Sequence, residues 1–98
     1  MSGEERDAVY RRCISTYGAD AQIDMILEEM SELAKALLKN RRAKKHSQSR
    51  IDAIVDELAD VKIMERQMEL LFTCSDDVEC RVDFKVQRQS KRLDELNE

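Results

Sequence analysis

Apolar residues recur at spacings of three and four along most of the chain, and the pattern divides it into four helical segments. The first runs from about Glu4 to Tyr17, with Val9, Cys13 and Tyr17 on one side and Gly18 as its terminator. The second, with Asp20 as its cap, carries Ile23, Ile26, Leu27, Met30, Leu33, Ala34, Leu37 and Leu38 as a single stripe. Asn40 to Gln48 is strongly basic and has no apolar period, which predicts a loop. Ser47 or Ser49 caps the third segment, whose stripe is Ile51, Ile54, Val55, Leu58, Val61, Met64, Met68, Leu71 and Phe72. The polar cluster from Thr73 to Asp77 marks a break, with Asp76 and Asp77 suited to a helix N-terminus, and a last helix follows over about 78–96.

Beyond Val61 the third helix is apolar on more than one side, because Ile63 and Leu70 fall away from the stripe of Leu58. Such a helix is expected to have several neighbours, another subunit among them. The expected architecture is therefore all-α: a four-helix antiparallel bundle formed by one domain, 1–98, assembling as a homodimer or homotetramer. A chain of 98 residues gains core by pairing.

Composition supports long helices and few turns, with 42% hydrophobic and 39% charged residues, two Gly and no Pro. The formal net charge of −4, with basic residues interspersed among the acids, argues against stable nucleic-acid binding. Three cysteines, at positions 13, 74 and 80, fit neither a disulfide scaffold nor a zinc spacing. With no signal-peptide core and no long apolar run, the expectation is a cytoplasmic protein without a membrane span.

The chemistry lies in an internal repeat. Ile23 to Leu33 reads IDMILEEMSEL and Ile51 to Val61 reads IDAIVDELADV, an offset of 28 residues. At ~100° per residue, Glu29 and Glu32 lie along one edge of the apolar stripe of their helix, as Glu57 and Asp60 do on theirs. If the two stripes pack together, four carboxylates converge. They would not stay ionised together without a cation, and oxygen ligands alone select a hard divalent ion, Mg²⁺ first. A di-iron site would need Glu-x-x-His pairs, and the single histidine, His46, lies in the basic loop.

These elements resemble those of the all-α nucleotide pyrophosphohydrolases, the MazG-like proteins and dimeric dUTPases. That family shares Glu-Glu-x-x-Glu, a spacer, then Glu-x-x-Asp; here Glu28-Glu29-Met30-Ser31-Glu32 and Glu57-Leu58-Ala59-Asp60 fill the two elements. Tyr17-Gly18 and Gln22 before the first element, and the apolar helix after Asp60, extend the likeness over roughly 17–92. The resemblance implies a MazG-like fold with Glu29, Glu32, Glu57 and Asp60 as Mg²⁺ ligands, Mn²⁺ being a possible substitute. It also implies that Glu28, with Glu29, activates the attacking water, and that Lys85, Arg88, Gln89 and Arg92 contact the substrate. Gln89 stands where the family commonly has Asn. The implied reaction is hydrolysis of a nucleoside triphosphate between its α and β phosphates. The rival expectation is a non-catalytic helical dimerisation or adaptor module whose acidic repeat is a solvated face.

Overall fold

In the computed structural model, which describes residues 1–97, four helices account for nearly all of the chain: α1 (Gly3–Tyr17), α2 (Ala19–Arg42), α3 (Gln48–Leu71) and α4 (Ser75–Leu96). There is no strand among the described residues. The fold class is thus all-α, and four helices are consistent with a bundle.

Local chemistry sets the ends. Ser2 and Glu5 form a reciprocal capping box at the start of α1. Gly18, at φ 93°, closes α1 and starts α2 at once, which leaves Asp20 in the first turn of α2 and not at its cap. Ser47 caps α3 by accepting from the Arg50 amide. After α3, the Cys74 amide donates to the Glu69 carbonyl at 3.1 Å around Thr73 at φ 50°, a left-handed helix stop. Two boundaries differ from expectation. The second helix continues to Arg42 because Lys39, Arg41 and Arg42 lie in its last turn, where cations complement the helix dipole. The fourth begins at Ser75, a turn earlier than the apolar pattern indicates.

α2 and α3 form an antiparallel hairpin, and their seam follows a heptad rhythm. Gln22, Ile26, Glu29, Leu33, Ala36 and Asn40 of α2 are buried or half-buried, and so are Arg50, Ile54, Glu57, Val61, Met64 and Met68 of α3. This seam uses only one edge of each sequence stripe. Leu27, Met30, Leu37, Val55 and Leu58 are left 47–58% exposed, further round in the same sense on both helices. Because the helices are antiparallel, that shared sense puts them on one side of the hairpin. Glu32 and Asp60 turn toward the other side.

α1 lies across α3, with Asp7, Tyr10, Cys13 and Ile14 half-buried; Val9 and Tyr17, expected on its inner side, are exposed. Arg66 ties it down, donating to both carboxylate oxygens of Asp7 at 3.0 and 2.8 Å and to Ser75 Oγ at 2.8 Å. α4 touches α3 alone, and every residue from Glu79 to Asn97 is exposed. The radius of gyration is correspondingly large, 17.0 Å, where a compact chain of this length would have roughly 13 Å.

Candidate metal centre

The carboxylates of Glu29, Glu57 and Asp60 converge where the two repeats cross, each offering an oxygen within 4.8 Å of the others. Glu29 and Glu57 occupy equivalent seam positions on α2 and α3 and are half-buried, whereas Asp60, one turn on, is exposed. The acids therefore lie inside the seam, and not along its border as the sequence stripe suggests. The reason is the narrow seam: it is centred on the acidic edge of each stripe, and Met30 and Leu58, which follow Glu29 and Glu57, are left exposed.

Crowding shows in the ionisation. Partial burial, and then the charges of Asp60 and Glu57, raise the pKa of Glu29 above its ordinary value of 4.5. Hydrogen bonding with the same two carboxylates adds to the effect. One oxygen of Glu57, Oε2, is enclosed and accepts no hydrogen bond among the described residues. A shielded carboxylate oxygen without a donor is costly, and a hard cation bound between the helices would satisfy it. By donor type and by this orphaned oxygen, the residues fit a divalent ion of the Mg²⁺ kind.

Three of the four expected ligands are thus brought together. Glu32 is not among them: its carboxylate is 52% exposed and pairs with Lys35 at 3.3 Å, one turn along α2. Glu28 is exposed on the outer side of α2. Lys85, Arg88, Gln89 and Arg92 all lie on the exposed part of α4, which makes no contact with α2. Arg88 instead lies over the ring of Phe84, 6.0 Å from its centroid.

Two further features were not evident in the sequence. Gln22 Nε2 donates to Gln67 Oε1 at 2.6 Å in the buried seam, two turns from Glu29. Gln22 keeps the heptad step from Glu29, which is the signal that places it; nothing in sequence pairs it with Gln67. The other is Arg66, whose partner Asp7 lies 59 residues away. Compared with known proteins, the chain matches no family model, no curated protein and no solved structure.

Proposed function

We propose that the chain is a Mg²⁺-dependent nucleoside triphosphate pyrophosphohydrolase of the MazG-like kind, acting in nucleotide-pool housecleaning. The observation that supports this reading most is the convergence of Glu29, Glu57 and Asp60 from two like-patterned helices, with Glu57 Oε2 left without a donor. A solvated acidic face would have no reason to enclose two carboxylates of equal charge against each other.

Glu29, Glu57 and Asp60 would hold the ion, and Glu32 would join them by leaving Lys35, a rotamer change of an exposed side chain. Bound there, Mg²⁺ would polarise the α-phosphoryl group, offset the charge of the triphosphate and acidify a coordinated water. With the ion held there, a water's oxygen would attack the α-phosphorus, the bond to the bridging oxygen of the β-phosphate would break, and pyrophosphate would leave with the electron pair. Glu28, exposed one position before Glu29 on α2, would accept the water's proton together with Glu29. Mn²⁺ would serve in place of Mg²⁺.

The homo-oligomer belongs to the same proposal. Leu27, Met30, Leu37, Val55 and Leu58 make an apolar side on the hairpin opposite the acids, and a second copy would cover it without closing the site. The same exposed apolar side also favours the second reading, a helical interaction module.

The deciding experiment is pyrophosphate release from the common ribo- and deoxyribonucleoside triphosphates and dUTP, with Mg²⁺ and with EDTA. Metal-dependent release with monophosphate as co-product, lost in Asp60→Asn, is the expected result. No release from any of them by a folded protein would leave the interaction module.

A further inference from the structure

α4 makes no contact with α2, but α2 carries cations of its own beyond the carboxylates. Past Glu32, the outer side of α2 presents Lys35, Lys39 and Arg42 at spacings of three and four. With Leu38, Ala43 and Arg50 they line a cleft of about 390 Å³ at the closed end of the hairpin. Four of these six residues are cationic and none is acidic. Among the described residues Lys39, Arg42 and Arg50 enter no ion pair, and Lys35 pairs only with the expected metal ligand Glu32.

Arg50 is preorganised. Its Nη1 donates to the Lys45 carbonyl at 2.8 Å and to Ser47 Oγ at 3.2 Å, while Nε and Nη2 have no acceptor among the described residues. Cations in the last turn of a helix commonly answer its dipole. That accounts for Lys39 and Arg42, but not for Lys35 a turn earlier, nor for an arginine from the neighbouring helix closing the same cleft.

We propose that this cleft is a phosphate subsite, which receives the far end of a polyphosphate chain whose first phosphate lies at the carboxylate cluster. At ~1.5 Å rise per residue, Lys35 stands ~9 Å and Lys39 ~15 Å along α2 from Glu29, within reach of a triphosphate once their long side chains extend. Lys35 then exchanges Glu32 for a phosphate oxygen, which frees Glu32 for the ion. The identity of the chain as a nucleoside triphosphate rests on the pyrophosphohydrolase reading; the anion subsite does not.

The test uses inorganic tripolyphosphate as the probe, titrated calorimetrically into the full chain in EDTA at low salt. Expected is binding that weakens on the order of tenfold in Lys39→Glu/Arg50→Glu and is unchanged in Arg88→Glu/Arg92→Glu. Among the described residues Lys39 enters no hydrogen bond or ion pair, so Lys39→Gln, whose own loss of affinity should be smaller but present with helicity retained, guards against a misfolded double variant. Absence of binding, or equal loss in the α4 variant, would overturn the subsite. So would displacement of the probe by duplex DNA at equal phosphate concentration, which would assign the cations to a nucleic-acid backbone. Asp60→Asn should keep tripolyphosphate binding in EDTA. If no nucleotide is hydrolysed yet binding depends on Lys39 and Arg50, the cleft takes free polyphosphate and only the catalytic reading fails. If hydrolysis occurs, Lys39→Glu should raise KM more than it lowers kcat.

Discussion

Gln22 and Gln67 join α2 to α3 through a 2.6 Å hydrogen bond in a part of the seam where both partners are almost wholly buried, 6% and 3% exposed. The bond fixes the register of the hairpin, since sliding one helix by a turn would bury both amides unpaired. Register here is also the alignment of Glu29 with Glu57 and Asp60, so this pair positions the carboxylates without touching them.

Replacing one partner is expected to cost more than replacing both. Gln67→Met should destabilise the chain by about 1–3 kcal/mol, the penalty of the stranded Gln22 amide, while Gln22→Met/Gln67→Met should recover most of it. Urea unfolding of the two single variants and the double gives the coupling directly. Additive losses would mean that the hydrogen bond carries none of the register.

The raised pKa of Glu29 has a definite sign in stability. The folded state holds this proton more tightly than the unfolded chain, so metal-free protein should lose stability as pH rises from 4.5 through the raised value. Glu29→Gln should be more thermostable than the parent at pH 7 in EDTA and indistinguishable from it below 4.5. Asp7 behaves oppositely: Arg66 holds its pKa below 3.8, so its contribution is present above that pH and is lost as pH falls further. Thermal melts across pH 3–8 of the parent, Glu29→Gln and Asp7→Asn separate the two windows.

Mg²⁺ should reverse the Glu29 penalty. At a free concentration 100 times its Kd the ion would add about 2.7 kcal/mol, provided it binds only the folded chain. The gain should vanish in Glu57→Gln and in Asp60→Asn. An equal shift in either variant would move the ion elsewhere.

Gly18 offers a purely backbone test. Its φ of 93° with ψ of 157° is a region that residues bearing a Cβ avoid, although no atom lies within 4 Å of where that Cβ would be. Gly18→Ala should therefore cost about 1–3 kcal/mol from strain alone, read as a lower Tm with helicity retained. A neutral result would mean that the α1–α2 corner relaxes freely.

The sequence shows where helices start and stop better than it shows which way they face. Gly18, Ser47 and the Thr73 break act through local chemistry, and their positions follow from residue type. The acidic repeat is equally legible, because two segments with one register must present the same residues to each other. What the apolar pattern could not settle is which edge of a wide stripe becomes the seam. Leu27 and Leu58 are as apolar as Leu33 and Val61, yet the first two are exposed and the last two half-buried. The polar seam residues Gln22, Asn40 and Arg50 give no hydropathy signal at all. Nor does the amphipathic pattern of α4 reveal that its apolar residues Val82, Val86 and Leu93 are left exposed.

Met64 is the one apolar residue buried among those described, and this bears on how the protein endures dilution. Apolar burial supplies most of the free energy that opposes chain entropy, and a single chain that buries so little of its own holds a thin reserve. Association of copies would then be part of the folding equilibrium itself, with a melting temperature that climbs as the logarithm of protein concentration. Expression level would act on this chain as temperature does on others: scarce copies would be cleared by proteolysis, and abundant ones would protect each other.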